Sequence, residues 1–502
     1  MPKLVVIGID GMDGEFVRDH LDVLPNFGRL KQRGHGGMLR SVFPTDSIPA
    51  WITIFTGIPP VEHGFLDAID YFKKDHKNYE VDISVFRDKT FWDVLSAAGH
   101  RCCVVNPFMA YPAWDINGIM VSGPVFVEGS KEMITPASLG ESYELPSLGG
   151  IVDFPTKKTL GAFCQESRQY TLDQHTFALE LMEKEGPFDL FFSTYLTLDR
   201  IQHFLWRYHD PGDPTYPGPS EFQSVVLDAY KMFDTIVGDY LDRCDDETEL
   251  VVISDHGHGR RCTEVVNVNE ILRRAGFLEV KAGKKNPLDP RRLLQMSKKL
   301  TMEFLDRHDL TDLTYTIAKL IPKTRALKKA SFLVDEDSNL AYAPYFAGTN
   351  PCGGVAINRE RASAAGREYN ELRREIVELL RQRKHPESGR PLFAWVENRE
   401  DFLGNGAALG KYPDVLYLMN SGYGTSWDLF GPTVAINTTH RKISGGHKVD
   451  GVLYSTFCSS LMMRSDGKPM GLESVSSLIL EAFGLPKPGT VALPDRSERP
   501  TR

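Results

Sequence analysis

The sequence predicts an α/β protein with a doubly wound, mostly parallel central sheet flanked by helices. Short apolar runs end in polar or glycine-rich turns at 4–9, 102–105, 190–192 and 250–253. Because apolar residues are continuous in these runs, we expect strands covered on both faces, as in parallel sheets. Helical stretches lie between them, for example at 90–95 and 177–182. Ligands of such folds bind at the carboxyl ends of the strands, so the polar residues directly after these runs are the functional candidates.

The C-terminal half continues this alternation after an interruption. Strand signals occur at 340–342, 354–357 and 413–418, and a long helix is predicted from Ala362 to Gln382. Residues 280–335 place apolar residues at helical spacing among basic ones, which predicts a helical insertion or cap. We therefore predict a catalytic domain formed by 1–279 and 336–493, interrupted by a basic helical insertion at 280–335. A flexible tail is expected at 494–502.

Composition excludes several classes of protein. The 502 residues are 41% hydrophobic and 25% charged, as in globular enzymes. The net charge of -9 argues against general nucleic-acid binding, which requires a basic surface. No segment approaches the ~20 apolar residues that span a bilayer, and the start lacks signal-peptide features, so we expect no membrane span and a cytoplasmic location. The seven cysteines lack CxxC spacing and are expected to be reduced. The sequence does not indicate the oligomeric state.

The segment 281–330 departs from the acidic balance of the chain. It contains thirteen Lys or Arg and five Asp or Glu, a local balance of +8. An ordinary solvated helical face explains this excess. The alternative hypothesis is a lid that attracts phosphorylated substrates by its charge.

Carboxylates and imidazoles that can bind a metal follow the predicted strands. Asp199 and His203 are four residues apart and would share one helix face, although a hydrogen bond between them is the simpler alternative. Taken singly, each of the others also has a structural explanation, as a turn or loop residue. Together they supply the oxygen and nitrogen ligands that zinc and similar metals prefer. These candidate ligands are Asp10, Asp199, His203, Asp255, His256 and His447.

Ser47 is the candidate nucleophile. Pro49 is favourable in the first turn of a helix, which would place Ser47 beside the helix N-terminus. Backbone donors and the positive end of the helix dipole at this position can receive a phosphoryl oxygen. The alternative is that Ser47 only caps the helix, and Thr45 and Thr56 are rival hydroxyls.

The order and spacing of these motifs resemble the alkaline phosphatase superfamily, most closely its type I phosphodiesterase/nucleotide pyrophosphatase branch. The shared features run from Asp10 to His447 and so cover most of the chain. They are an Asp after the first strand, a Pro-Thr-x-Ser-x-Pro loop at 44–49, Thr-Gly at 56–57 and His-Gly at 63–64, Asp-x-x-x-His at 199–203, Asp-His-Gly at 255–257 and a late glycine-flanked His.

This resemblance implies an alkaline-phosphatase-like fold and a two-metal site. One divalent ion would bind Asp199, His203 and His447, and the other would bind Ser47 with Asp10, Asp255 and His256. Zinc is the expected metal, with manganese as the alternative. Ser47 would attack phosphorus in line between metals ~4 Å apart, and water would then hydrolyse the phosphoseryl intermediate. The expected substrate is a small phosphorylated molecule such as a nucleotide.

The sequence departs from the pattern of the branch at Ala68, where nucleotide-hydrolysing relatives usually have Asn. A phosphomonoesterase is therefore the alternative to a phosphodiesterase, and a phosphomutase a minor one. The missing Ser-Arg after Pro49 argues against a sulfatase. An inactive, metal-stabilised protein that binds an anionic partner represents a different class. His440 could bind metal or phosphate but is expected to be a surface loop residue, and Asn358 is expected to lie in a turn.

Overall fold

The computed structural model describes residues 2–66, 87–122, 133–146, 154–279, 300–310, 312–313, 334, 336–346, 350–462 and 467–486. The chain forms two compact units. The first unit comprises Met1–His209, Pro219–Gly259 and His447–Arg502, and the second comprises Asp210–Gly218 and Arg260–Gly446.

The strands of the described residues are numbered in chain order. They are β1 Leu4–Ile9, β2 His35–Arg40, β3 Cys102–Val105, β4 Gly118–Val121, β5 Ile134–Thr135, β6 Leu190–Tyr195, β7 Glu249–Ile253, β8 Gly257–Arg260, β9 Glu264–Asn267, β10 Ala341–Tyr342, β11 Cys352–Ile357, β12 Phe393–Asn398, β13 Val415–Met419, β14 Tyr423–Ser426, β15 Val434–Ile436, β16 Gly445–Lys448, β17 Asp450–Ser455 and β18 Met470–Gly471.

The α-helices are numbered in the same way. They are α1 Gly14–Asp19, α2 Pro25–Arg33, α3 Ser47–Thr56, α4 Pro60–His63, α5 Phe91–Ala97, α6 Leu160–Lys184, α7 Thr197–His209, α8 Val225–Arg243, α9 Val268–Arg274, α10 Arg359–Ala364, α11 Tyr369–Arg381, α12 Arg399–Leu403 and α13 Val475–Glu481. Residues 300–307 are also helical. Among the described residues, none of the helices is long and apolar enough to cross a membrane.

A nine-stranded sheet forms the centre of the first unit. Its order is β18-β2-β17-β7-β1-β6-β3-β4-β5. The five strands β7, β1, β6, β3 and β4 are parallel to their neighbours within this group. β17 is antiparallel to β7 and β2, and β5 is antiparallel to β4. The central strands are buried along nearly their whole length, which explains their continuous apolar sequence. The predicted α/β class with a mostly parallel sheet is confirmed.

The register of the sheet positions the polar residues that follow its strands. Ile9 at the end of β1 is paired with Tyr195 at the end of β6, and Gly8 is paired with Ile253 at the end of β7. Because these three strands are parallel and end together, the loops that follow them meet at one edge of the sheet.

Helix α3 packs into the core of the first unit. Every residue from Ile48 to Thr56 is buried. The Phe55 ring makes edge contacts with Trp92 of α5 and Phe192 of β6, with centroids 5.0 and 5.9 Å apart. Burial of these large aromatic side chains fixes the N-terminus of α3, where Ser47 lies.

The second unit has its own sheets and core. Four strands form an antiparallel sheet in the order β10-β11-β13-β12, and β14-β9-β15 form a smaller one. Their apolar faces share a hydrophobic cluster with α11, which includes Val355, Ile376 and Val415. The boundaries of the two units do not coincide with the predicted domain limits. The predicted insertion at 280–335 lies mostly outside the described residues, as does the tail at 494–502, and both stay predictions.

The predicted helix from Ala362 to Gln382 is wrong in one respect, because it forms two helices, α10 and α11. Gly366 lies between them with a φ of 67°, a left-handed conformation that ends a helix. Asn358 is not in a simple turn. It caps α10 by accepting a hydrogen bond from the backbone N–H of Arg361 at 2.9 Å.

Candidate metal centre

The first unit gathers the predicted ligands at the carboxyl edge of its sheet. Asp10 follows β1, Asp255 and His256 follow β7, and α7 carries Asp199 and His203 after β6. Within the described part of the chain, three groups of candidate metal ligands have their donor atoms within 4.8 Å of one another. The groups are Asp10 with Asp255 and His256, Asp199 with His256 and His447, and Asp199 with His203 and His258. All six predicted ligands belong to one continuous cluster.

The first part of the cluster surrounds Ser47. The Ser47 Oγ lies 3.1 Å from His256 Nε2 and 3.4 Å from Asp10 Oδ1. His256 Nε2 also lies 3.2 Å from Asp255 Oδ2. The ligands of a tetrahedral zinc with bonds of ~2.0–2.1 Å lie ~3.3 Å from one another, so these separations suit a shared ion.

Neighbouring groups hold these carboxylates in place. The Trp51 indole N–H donates to Asp10 Oδ2 at 2.8 Å, and the Gly11 backbone N–H donates to Asp255 Oδ1 at 3.1 Å. Gly11 has a φ of 69°, and a Cβ at this position would lie 2.9 Å from the Cβ of Asp199. The position therefore requires glycine both for its conformation and for the approach of α7.

The second part of the cluster is centred on Asp199. His203 Nε2 lies 3.2 Å from Asp199 Oδ2 and 3.1 Å from His447 Nε2. His447 Nε2 lies 3.5 Å from Asp199 Oδ1, and its Nδ1 faces the Thr45 carbonyl oxygen at 3.2 Å. Two imidazole nitrogens that face each other at 3.1 Å can both be ligands of one cation. The spacing again fits one ion.

His258 was not predicted from the sequence. Its side chain is fully buried and its Nε2 lies 3.4 Å from Asp199 Oδ1. It follows His256 by two residues in the pattern Asp-His-Gly-His at 255–258. Because alternate residues of an extended segment face the same side, this pattern indicated that His258 lies near the site.

Burial and charge set the protonation of the cluster. Burial, with the nearby Asp255 charge, raises the pKa of Asp10, and burial raises the pKa of Asp255 to about 8. Burial also lowers the pKa of His256, which keeps its imidazole neutral. Although burial alone would raise the pKa of Asp199, interactions with His203 and His447 hold it well below its usual range. Burial alone would lower the pKa of His447, but the Asp199 carboxylate raises it to about 9. Because neutral imidazoles and carboxylates are the forms that bind metals, a bound ion would displace the protons that Asp10, Asp255 and His447 retain in its absence.

Ser47 is the first residue of α3 but is not its cap. Asp46 is the cap, and its side chain accepts from the backbone N–H of Ile48 at 3.2 Å. The rival hydroxyls donate to backbone carbonyls, Thr45 to Val42 at 3.0 Å and Thr56 to Ile52 at 2.7 Å. Ser47 is thus the hydroxyl that faces the ligands.

His440 is not a surface residue, which corrects the prediction. Its side chain is 2% exposed, and its Nε2 lies 2.8 Å from Asp213 Oδ2 in the second unit. An acidic partner and the backbone bonds of the loop at 437–443 keep it buried. His440 is in none of the three ligand groups. Ala68 lies outside the described residues, so its effect on specificity stays a prediction.

A mostly parallel sheet that carries a buried Asp/His cluster and a helix-terminal serine at its carboxyl edge defines an alkaline-phosphatase-like protein. Comparison with known proteins narrows this class. Residues 4–423 match the family described as type I phosphodiesterase / nucleotide pyrophosphatase. Since this match covers most of the chain, the protein belongs to that family. The predicted resemblance is confirmed.

Relatives of known name match over shorter stretches. Ectonucleotide pyrophosphatase/phosphodiesterase family member 3 from Mus musculus is 31% identical over 93 residues, which are 18% of this chain and 10% of that protein. Venom phosphodiesterase from Naja atra is 30% identical over 90 residues, or 18% of this chain and 11% of the relative. The chain thus matches only about a tenth of the length of these relatives.

A solved structure matches over nearly the whole chain. Phosphonoacetate hydrolase from Sinorhizobium meliloti 1021, in complex with phosphonoformate, superposes with a TM-score of 0.54 at 14% sequence identity. The alignment covers 96% of each chain. At this identity the similarity shows a common fold and nothing more specific.

Proposed function

We propose that the chain is a metal-dependent hydrolase of phosphate esters that acts on phosphodiesters through Ser47. The observation that carries this proposal is the position of the Ser47 Oγ, 3.1 Å from His256 Nε2 and 3.4 Å from Asp10 Oδ1. A hydroxyl so close to candidate metal ligands is placed to become a nucleophile. Membership of the type I phosphodiesterase / nucleotide pyrophosphatase family supports the reaction class.

Two divalent ions fit the donor sets. Asp10, Asp255 and His256 would hold one ion with Ser47, and Asp199, His203 and His447 would hold the other. Asp255 Oδ2 is buried and has no hydrogen-bond partner among the described residues, as expected of an oxygen that awaits a cation. The ions, zinc or manganese, would lower the pKa of the Ser47 hydroxyl and draw charge from the phosphoryl oxygens.

The residues of the chain bind and orient the reacting groups. The Ser47 Oγ forms a bond to phosphorus while the bond from phosphorus to the leaving oxygen breaks. The leaving group takes up the proton that Ser47 loses, relayed by water. A second water then breaks the phosphoserine bond, which releases the phosphate product and returns a proton to Ser47. The N-terminus of α3, where Ser47 lies, would offer backbone donors to the phosphoryl group.

The nucleophile is tested by Ser47→Ala, assayed with bis-p-nitrophenyl phosphate after loading with zinc or manganese. We expect kcat to fall by at least about 10³-fold, because the covalent step is lost. Ser476→Ala is the matched control, since its buried hydroxyl has no hydrogen-bond partner in the described part of the chain. Full activity of Ser47→Ala with normal metal content would refute the assigned mechanism.

The class of ester is tested by the ratio of activities on bis-p-nitrophenyl phosphate and p-nitrophenyl phosphate. We expect the diester to be hydrolysed faster. Nucleotides and dinucleotides are then tested as further substrates. A ratio in favour of the monoester would instead support a phosphomonoesterase. No hydrolysis of either, with both ions bound, would support a protein that only binds its anionic partner.

A further inference from the structure

His258 carries two buried nitrogens that the proposed function leaves unused. Neither Nδ1 nor Nε2 has a hydrogen-bond partner among the described residues. The same holds for Asp199 Oδ1, which lies 3.4 Å from His258 Nε2. Buried polar groups without partners are rare in folded proteins, and here a ring nitrogen that can donate faces a carboxylate oxygen just beyond the ordinary bond length.

The surroundings of His258 fix its ring. Its backbone N–H donates to Asp13 Oδ2 at 3.2 Å, and the Trp206 ring lies stacked on it at a centroid distance of 6.0 Å. The His203 ring meets its edge at 4.7 Å. Asp13 also lies 3.6 Å from Lys448 Nζ, beside His447. The Trp206 and His203 rings therefore flank the His258 ring, and the backbone bond to Asp13 fixes the segment that carries it.

We propose that His258 is a positioning residue of the metal centre, whose Nε2–H donates to Asp199 Oδ1 and turns Oδ2 towards the ion. This inference rests on the proposed function, since it assumes that Asp199, His203 and His447 hold one ion. Closer approach and better alignment of the Nε2–H with Oδ1 would make the hydrogen bond. Such partners of ligating carboxylates orient them and strengthen metal binding.

The number of ligands favours a donor over a fourth ligand. Asp199, His203 and His447 already supply three protein ligands, which is the usual number at a catalytic zinc and leaves one position open. Coordination by His258 would close that position to substrate or water. If His258 instead donates a hydrogen bond, the buried Asp199 Oδ1 gains a partner and the ion stays accessible to substrate or water.

The wild-type protein provides the decisive test. Protein labelled with ¹⁵N in its fourteen histidines is loaded with ¹¹³Cd, and the ring nitrogens are observed by NMR. We expect the His258 signals to show a protonated Nε2 without coupling to cadmium, while His203, His256 and His447 show coupling. Coupling of cadmium to His258, or a protonated Nδ1 with a bare Nε2, would overturn the proposal.

Variants test whether the donor matters for metal affinity. His258→Phe fills the same space without a donor. It should lower the affinity for the ion at Asp199 by roughly 10- to 100-fold. His258→Gln retains an N–H donor and should recover part of this loss. The control is His175→Phe, a buried histidine of the same unit that hydrogen-bonds to Tyr195 and Asp239, and both ions should bind it normally.

The outcomes separate the two proposals. Coupling to the three other histidines without a protonated His258 Nε2 would overturn only the role of His258. Absence of cadmium coupling at all four histidines would overturn the metal centre itself. Equal metal affinity of His258→Phe and wild type would also overturn the positioning role.

Discussion

Asp255 shows how burial prepares a ligand for its ion. Its side chain is fully buried, one oxygen accepts from the Gly11 N–H, and the other has no hydrogen-bond partner within the described ranges. Burial raises its pKa to about 8, so without a cation the carboxyl group binds a proton at pH 7. A divalent ion would displace that proton and supply the missing charge.

We therefore predict that metal affinity depends on pH. Below about pH 8 the Asp255 carboxyl is protonated in the metal-free protein, so affinity should fall as the pH decreases from 9 to 6. Calorimetric titration of zinc in buffers of different ionisation enthalpy should reveal proton release at pH 7. The prediction is contradicted if binding at pH 7 releases no proton and the affinity is constant over this range.

Trp51 contributes to the candidate centre through its indole nitrogen Nε1. Its buried indole N–H donates to Asp10 Oδ2, so Trp51→Phe leaves that oxygen without its donor. We expect affinity for the ion at Asp10 to fall by roughly 10-fold or more, with a smaller effect on the other ion. Metal titrations with a chromophoric chelator measure both affinities.

Trp92→Phe is the matched control for Trp51→Phe. Trp92 is as deeply buried in the same unit, and its Nε1 has no hydrogen-bond partner in the described structure. Both substitutions remove similar apolar volume, and only one removes a donor to a candidate ligand. Equal losses of metal affinity in the two variants would refute a specific role of Trp51.

Most candidate ligands could be predicted because they directly follow a strand or share a helix turn with another, whereas His447, which lies within β16, was indicated by its flanking glycines. Asp10, Asp199 and Asp255 are examples whose position along the chain indicated their chemistry. Trp51 could not be identified in this way, since its contact with Asp10 joins separate segments. His258 belongs to the Asp-His-Gly-His pattern, but its contact with Asp199 is not visible in the sequence. The buried position of His440 was missed for the same reason, because its partner Asp213 precedes it by more than 200 residues.

Among the elements, α9 is bonded to its surroundings through one buried carboxylate, Glu270. Glu270 has its side chain 1% exposed and bonded to Arg273 and Arg274 at 2.8 and 2.7 Å, and it accepts from the Phe430 backbone N–H at 2.9 Å. Burial alone would raise the pKa of Glu270, but these hydrogen bonds lower it to about 2 from the ordinary 4.5. Glu270 thus joins α9 to the loop at 430 within the second unit.

Glu270→Gln should destabilise the protein by about 1–3 kcal/mol at pH 7, since charged hydrogen bonds are lost. Because the folded pKa lies below the unfolded one, the contribution is complete above about pH 4.5 and disappears as the pH falls towards 2. Denaturant unfolding at pH 7 and at pH 3 should therefore show a smaller difference from wild type at pH 3. The exposed Glu378→Gln of α11 is the control, and a pH-independent difference would contradict the prediction.

Helices and strands could be predicted from the sequence where a single physical rule determines their conformation. Continuous apolar runs identified β1, β3, β6 and β7 because these strands are buried on both faces. The helix predicted at 362–382 failed because its apolar spacing continues across Gly366, whose left-handed conformation the periodicity does not reveal. The antiparallel pairing of β11, β12 and β13 depends on contacts between distant segments and was not foreseen.

At the scale of the whole molecule, the candidate centre belongs to one unit. Asp10, Ser47, Asp199 and His203 lie in Met1–His209, the residues from 255 to 258 lie in Pro219–Gly259, and His447 begins the last segment. Three separate stretches of the chain thus supply donors to one centre. The cytoplasmic location and the role of the basic segment 281–330 stay predictions.

Because the donors come from all three stretches, bound ions should cross-link the first unit. Ligand binding to the native state alone stabilises it by ~2.7 kcal/mol when free metal is 100 times Kd. We predict slower hydrogen exchange after zinc addition in peptides that contain β1, β7 and the start of α7. Peptides from β11 and β13, which lie in the second unit with its separate core, should exchange at an unchanged rate.

Mass spectrometry of exchange with zinc and with EDTA measures this difference peptide by peptide. The Asp10→Asn, Asp255→Asn double variant is the control, since it removes two candidate ligands and should abolish most of the zinc effect around β1 and β7. Equal protection of both units by zinc would indicate general stabilisation by the metal. That result would contradict a centre confined to the donors of the first unit, because local openings of separately packed regions respond to a ligand only where it binds.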